Sequence, residues 1–328
     1  MSRSEVRVLF STSDRVECGV AEHGAMLMEA LPDVQFVVRG PDPPAAADGA
    51  DIVHCNWHAA LSSRWTPKHV QALQGQGTKV VMTLHDTFET FSLMQGRGFQ
   101  DFRCADALVV HEPVEGLDGS NVHYIRQGVP LGPTDFRLIG KHALYRERPV
   151  VGTVGFPFPW KNYDLLCTLA RQARWRVLLI APGATVEQCR KWQELNPMTE
   201  VISRFLPRQE VVNYLGSCTA TAFLYSTGNS GTTAALRLGI AARKPVIAFH
   251  SRQTRDLDDD SRILWCADEG SVGAALDVLG QNPDRYRGLP HLYQMMSNGA
   301  RSLAEQDSWT NVAAKYAAIY RTLVGGKA

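Results

Sequence analysis

Tyr225-Ser226-Thr227-Gly228-Asn229-Ser230-Gly231-Thr232-Thr233 joins an apolar run over 219–224 to a helical pattern over 234–242, and Lys244-Pro245-Val246-Ile247-Ala248 follows. The first run is apolar on consecutive residues, as a strand buried on both faces should be. The residues of the join are small, hydroxylated or glycine, so the stretch predicts strand, glycine-rich turn and helix in that order. Such a turn gathers unpaired N–H groups and the positive end of a helix dipole in one place, which suits phosphate oxygens. A plain strand–helix corner capped by Ser or Thr would leave the same pattern.

The alternation extends over the whole chain. Strands are predicted over 6–11, 34–38, 51–55, 79–83, 107–110 and 122–125, with helices over 21–31 and 67–73 among them. A segment broken by Gly128-Val129-Pro130, Gly132-Pro133 and Pro149 reads as a linker over 127–149. Beyond it come strands over 150–154, 176–180, 200–203 and 263–266 and helices over 163–172, 186–195, 208–216, 271–279, 286–306 and 309–323. Strands alternating with helices predict an α/β chain of parallel sheets covered by helices. A length of 328 residues predicts two such domains with a cleft between them. Ligands of these sheets sit beyond the carboxyl ends of the strands.

Composition narrows the class. An apolar share of 45 % and a charged share of 20 % fit a soluble globular protein, and no apolar run approaches the length that spans a bilayer. The seven cysteines are odd in number, scattered and without a CxxC pair, which fits a reducing compartment and a cytoplasmic location. Residues 1–145 carry 12 Lys and Arg against 17 Asp and Glu, whereas the remainder carries 22 against 16. The acidic first half is a poor surface for anionic lipid or a nucleic-acid backbone, and the basic second half suits a phosphorylated ligand.

Several positions are candidates for chemistry. Gly19 precedes a helix in the loop after the first strand, where backbone can approach a ligand closely; a simple turn would also want glycine there. No GxGxxG dinucleotide fingerprint accompanies it. His85 ends the fourth strand, placed to bind a hydroxyl or share a proton, or to be satisfied locally. Lys161 stands at a helix start, against the usual dipole preference, which an anionic ligand would explain. His54-Cys55 and His58 do not make a metal set, since adjacent strand residues point to opposite faces, and no metal ligand set is expected.

In order along the chain stand Cys18-Gly19-Val20-Ala21, Asp51-Ile52-Val53-His54, Val80-Val81-Met82-Thr83-Leu84-His85-Asp86 and Cys104-Ala105-Asp106-Ala107-Leu108-Val109-Val110-His111. Then come Ile125-Arg126-Gln127-Gly128-Val129-Pro130, Val151-Gly152-Thr153-Val154-Gly155 with Lys161-Asn162, Phe205-Leu206-Pro207, Ser230-Gly231, Ala242-Arg243-Lys244-Pro245-Val246-Ile247 and Ser308-Trp309. The ordered set resembles the retaining GT-B glycosyltransferases, specifically glycosyltransferase family 4, over nearly the whole chain. The resemblance implies two Rossmann-like domains: 1–147 holding the acceptor, 148–306 holding a nucleotide-diphosphate sugar, and a last helix over 307–328 packing back on the first.

Carried over by position, the resemblance makes His85 and Lys161 catalytic. It puts Gly19, Gly155, Lys161, Asn162, Ser230, Gly231, Thr232 and Thr233 at the donor. The donor would be a UDP-sugar, with no cofactor and no metal. Asp86, Arg97 and Arg103 would face a hydroxyl acceptor: a small molecule, a glycan, a protein or a hydroxymethylated base of viral DNA. A flipped base would need such a loop, and the stretch 88–103 also holds Phe88, Phe91, Phe99 and Phe102. Two departures from the pattern stand out. The Gly-Arg pair becomes Gly155-Phe156, and the two glutamates eight apart fall on Ser230 and Leu238. They leave open a protein that binds a sugar nucleotide without transferring the sugar.

Overall fold

The computed structural model describes residues 6–14, 18–58, 61–62, 64–85, 99–114, 117, 119–131, 148–226, 233–258, 260–280 and 290–325. They form two compact units. One takes the described residues up to Gly128 and those from Trp309 onward, and the other takes those from Val129 to Ser308.

The first unit contains β1 (Val6–Ser11), α1 (Gly19–Glu29), β2 (Val34–Arg39), β3 (Ile52–Trp57), α2 (Pro67–Gly75), β4 (Lys79–Leu84), β5 (Ala107–Val110) and β6 (Val122–Tyr124). Its sheet is ordered β2-β1-β3-β4-β5-β6, and every pairing is parallel. Successive residues of β1 show why the strands are apolar throughout. Leu9 packs with Val53, Cys55, Val70 and Leu73 on the α2 face. Val8 and Phe10 pack on the opposite face with Leu27 of α1 and with Val312 and Tyr316 of the last helix. Strands buried on both sides have no solvent face to alternate toward.

The second unit runs β7 (Val150–Val154), α3 (Tyr163–Gln172), β8 (Arg176–Ile180), α4 (Val186–Leu195), β9 (Thr199–Ile202), α5 (Arg208–Gly216), β10 (Ala220–Phe223), α6 (Ala234–Ala241), β11 (Val246–Phe249), β12 (Leu264–Cys266), α7 (Glu269–Gly280) and α8 (Pro290–Gln306). Its sheet order is β12-β11-β10-β7-β8-β9, again parallel throughout. Both sheets are the covered parallel sheets that the alternation predicts. Local signals set the helix starts. Thr185 and Gln188 exchange hydrogen bonds of 2.9 and 3.2 Å across the first turn of α4. The Asp268 carboxylate accepts from the Ser271 amide at 2.8 Å, so α7 begins at Glu269, ahead of the expected Ser271.

The final helix, α9 (Trp309–Gly325), belongs to the first unit. It buries Trp309, Val312, Ala313, Tyr316, Ile319 and Tyr320 on the sheet face that α1 also covers. Within the stretch expected to link the domains, Val129 is a bridge partner of Ser308, and its amide donates to the Asp307 carbonyl at 2.7 Å. Residues 132–147 lie outside the described set. No helix among the described residues is long and apolar enough to cross a membrane.

Gly128 lies against the Trp309 indole, and a Cβ there would come within 2.5 Å of its Cδ2. Trp309 is held by the packed layer beneath it, so the ring cannot step aside cheaply. Gly128→Ala is therefore expected to destabilise the fold by about 1–3 kcal/mol, the usual cost of overpacking. Denaturant unfolding of the variant beside the wild type measures this; equal midpoints would contradict the packing described.

Candidate functional site

In the second unit the site begins with β7. Its carboxyl end leads to Gly155, whose φ of +134° is a conformation that L side chains rarely adopt. A Cβ at this position would also collide with Lys161 Nζ. Bare backbone at 155 is thus what lets the lysine fold across the strand end. Lys161 closes a 3-10 turn, Pro159–Lys161, and Asn162 follows in the left-handed region with φ 53° and ψ 40°. Asparagine tolerates that region better than most residues.

Two hydrogen bonds fasten the turn to the end of β10. Asn162 Nδ2 donates to the Leu224 carbonyl at 2.7 Å, and the Ser226 amide donates to the Trp160 carbonyl at 2.9 Å. The Phe158 and Trp160 rings stack at 4.3 Å and stiffen the turn further. The Asn162 amide is thereby engaged in positioning Lys161.

The Lys161 ammonium lies 5.2 Å from the centre of the Tyr225 ring. The Thr233 hydroxyl donates to the Tyr225 hydroxyl at 3.4 Å, just ahead of α6. Gly155, Lys161, Asn162 and Thr233 are therefore one neighbourhood, organised around Tyr225, a residue that sequence pattern alone does not single out. Ser230, Gly231 and Thr232 lie outside the described residues. Burial pulls the Lys161 amine down to about 8. Among the described residues no carboxylate pairs with it. A desolvated cation without a counter-charge is a strong site for an anion. Arg237 offers no second cation, because it is buried and paired with Asp256.

In the first unit the polar side chains gather at the carboxyl ends of β3, β4 and β5. His85 follows β4 directly, and its amide donates to the Trp57 carbonyl at 3.0 Å. Asn56 Nδ2 donates to Thr12 Oγ1 at 3.1 Å and to the Val20 carbonyl at 2.6 Å. Its Oδ1 must then accept, so His85 Nε2, 2.5 Å away, carries the proton. The His111 Nδ1–H donates to the Ile125 carbonyl at 2.9 Å. His23 on α1 completes a group of three imidazoles. His54, by contrast, is bound between Tyr320 at 2.6 Å and Thr83 at 2.8 Å.

Burial, followed by the neighbouring imidazoles, holds His23 and His85 well below the ordinary histidine value, so both rings are neutral near pH 7. The sequence reading did not join His23 and His111 to His85, since three separate elements supply them. The fold supplies the link for two of them: Leu84 and Val110 are register partners in adjacent strands, so the residues that follow them are neighbours.

The other expected positions scatter. Gly19 is exposed at the first residue of α1. Asp86 and Arg97 lie outside the described residues. Arg103 sits in a 3-10 turn, Phe99–Cys104, which leads into the amino end of β5. His85 follows the carboxyl end of the parallel neighbour β4, so the two residues are at opposite ends of the strands and the structure does not bring them together.

No protein-family model matches this chain, and no curated protein matches it significantly in sequence. Solved structures do match. Alr3699/HepE of Anabaena, in complex with UDP-glucose, is 12 % identical with a TM-score of 0.66, over 97 % of this chain and 99 % of that one. WaaB, a lipopolysaccharide outer core galactosyltransferase, is 10 % identical with a TM-score of 0.64, over 98 % and 99 %. AviGT4, a glycosyltransferase involved in avilamycin A biosynthesis, is 14 % identical with a TM-score of 0.58, over 98 % of each. This chain has their GT-B fold.

Lys161 sets a pH dependence. Below about 8 the amine is charged, and an anion beside it raises its proton affinity, so anion binding takes up a proton as pH climbs past that value. The dissociation constant of an anion that does not itself titrate here, such as sulfate, is expected to be flat below pH 8 and to weaken above it, by up to about tenfold per pH unit. Calorimetry across that range reads the effect, and Lys161→Met should remove the pH dependence along with most of the affinity.

Proposed function

We propose that this protein is a glycosyltransferase that moves a sugar from a nucleoside-diphosphate sugar to a hydroxyl acceptor. The observation that carries the reading is Lys161, a half-buried lysine whose desolvated amine has no carboxylate partner among the described residues, folded over Gly155 beside Tyr225 and the start of α6. When the bond between the anomeric carbon and the phosphate oxygen breaks, the electron pair leaves with the diphosphate. Lys161 meets that charge in a desolvated place, where preorganised charge stabilises most. Thr233, the first amides of α6 and the residues Ser230, Gly231 and Thr232 would hold the phosphates, and Gly19 would lie near diphosphate and acceptor.

The family resemblance and the solved neighbours support a UDP-sugar as donor, since HepE is described in complex with UDP-glucose. The family resemblance, and not the solved neighbours, motivates retention at the anomeric carbon and a diphosphate neutralised without metal. His85 would face the sugar. With its Nε2–H held by Asn56, the nitrogen left for a sugar hydroxyl is Nδ1. Asp86 and Arg97 stay as acceptor candidates. Arg103 does not, because it stands at the other end of the strands. A hydroxymethylated DNA base as acceptor loses one of its two proposed cations by that placement.

One observation favours a second reading, a sugar-nucleotide binder without transfer. Leu238, standing where the resemblance expects a glutamate, packs against the apolar core of the second unit.

A panel of nucleotide sugars separates the two readings. Under the first, one donor is turned over or hydrolysed, with an anomer unchanged by NMR, and Lys161→Ala lowers the rate by ~10²-fold, the typical loss for one charge-stabilising group. Binding by calorimetry with no product for any donor would leave the second reading standing and refute the first.

A further inference from the structure

We propose that His23, His85 and His111 form a binding site for a single divalent transition-metal ion, Zn2+ by preference, within the first unit. The inference does not rest on sugar transfer, and it concerns residues other than the lysine cradle of the second unit.

Geometry is the first support. One ring nitrogen from each histidine lies within 4.8 Å of the others. The ring centres are 4.6 Å apart for His23–His85, 4.9 Å for His85–His111 and 5.1 Å for His23–His111. Three imidazoles bound tetrahedrally at the usual Zn–N length of about 2.0–2.1 Å would place their ring centres roughly 5.2 Å apart. The three rings already have the spacing of a three-histidine site.

Hydrogen bonding is the second support. Metal-binding histidines almost always donate the opposite N–H to a fixed acceptor, which sets the tautomer and the ring orientation. Two of these three do so. Asn56 Oδ1 holds the Nε2–H of His85 at 2.5 Å, leaving the lone pair on Nδ1. The Ile125 carbonyl holds the Nδ1–H of His111 at 2.9 Å, leaving the lone pair on Nε2. Asn56 is itself locked by its bonds to Thr12 and Val20.

His23 supplies the third support. It is 2 % exposed, and neither ring nitrogen has a hydrogen bond of good geometry, the Asn56 side chain being the least of the influences on its proton affinity. A buried polar ring so poorly partnered is costly and calls for an explanation, of which a bound ion is one. Here the ring also lies edge-on to Trp309 at 4.9 Å, so that apolar neighbour offers it no acceptor.

Three neutral nitrogen donors with no carboxylate or thiolate among them suit Zn2+ and Co2+, and not the oxygen-seeking Mg2+ or Ca2+. Three protein ligands leave one coordination position open, the pattern of sites that take a water or a substrate atom. His85 is the half-buried member of the three, so that position is reached from its side. A metal on Nδ1 of His85 and a sugar hydroxyl on the same nitrogen exclude each other.

The test titrates Co2+ and Zn2+ into the full-length protein after treatment with a chelator. One equivalent of Co2+ is expected to give the intense visible bands of a four-coordinate ion, and Zn2+ should bleach them. Calorimetry should show one Zn2+ per chain, and the ring C–H resonances of His23, His85 and His111 should shift together. His23→Phe and His111→Phe, checked for folding by circular dichroism, should each weaken Zn2+ binding by 100-fold or more. His250→Ala, remote in sequence and in the other unit, should leave it unchanged. Absence of a one-equivalent site in the wild type overturns the proposal. So does Zn2+ binding that leaves the three imidazole resonances in place, a reading that needs no variant to fold.

Discussion

A parallel sheet built from apolar runs must be covered on both faces, and that constraint shapes the first unit more than any single contact. The α2 face is covered by chain that is local in sequence, but the other face is not. Val8, Phe10, Ile52, Val81 and Val109 would stand bare between α1 and solvent if α9 did not lie over them. A helix nearly 200 residues distant from the nearest strand it covers therefore belongs to the same core. Its tyrosines also close the polar end of that face: Tyr320 binds His54, and Tyr316 reaches Thr83 at 3.3 Å. Covering the sheet and satisfying its buried polar groups are one task here, carried out by one helix.

The same face explains where polar chemistry can sit. Toward the carboxyl ends of β1, β3 and β4 the inward positions change from Val, Phe and Ile to Thr12, Asn56, His54 and Thr83. These groups are deeply buried, so each must find a partner in its neighbours: His54 pairs with Thr83 and Tyr320, and Asn56 holds Thr12, the Val20 carbonyl and His85 at once. The second unit takes another route. There the polar atoms that matter come from turns at the ends of β7 and β10, held by backbone bonds, and the charged lysine stands over an aromatic ring. One unit thus presents neutral imidazoles on rigid strand ends, and the other presents a cation on a clamped turn.

Much of the architecture was legible because it follows from local pattern. The helices Tyr163–Gln172, Val186–Leu195 and Arg208–Gly216 and the strand Arg176–Ile180 have the predicted ends. Each is a periodic or apolar run with a clear stop. Ends that moved did so where tertiary partners decide. β3 was expected to stop at Cys55, yet it runs on to Trp57, because the polar Asn56 is satisfied by Thr12 and Val20 inside the sheet layer. Lys161 was legible as a charge against the helix dipole. Its anchoring by Asn162 and Ser226 was not, since that depends on β10 lying next to β7. The three histidines come from positions 23, 85 and 111, and no spacing rule connects residues joined only by strand order and register.

Having its first sheet completed by its last helix gives this chain an unusual order of events on the ribosome. Residues 129–308 must all be made before α9 emerges, which takes roughly 10–40 s at ordinary elongation rates. Throughout that interval the nascent first unit carries an open apolar layer with His54 and Thr83 exposed at its rim. Such a surface invites chaperones, and a message that stalls before α9 is read would release a chain whose later-made half is finished and whose earlier-made half is not.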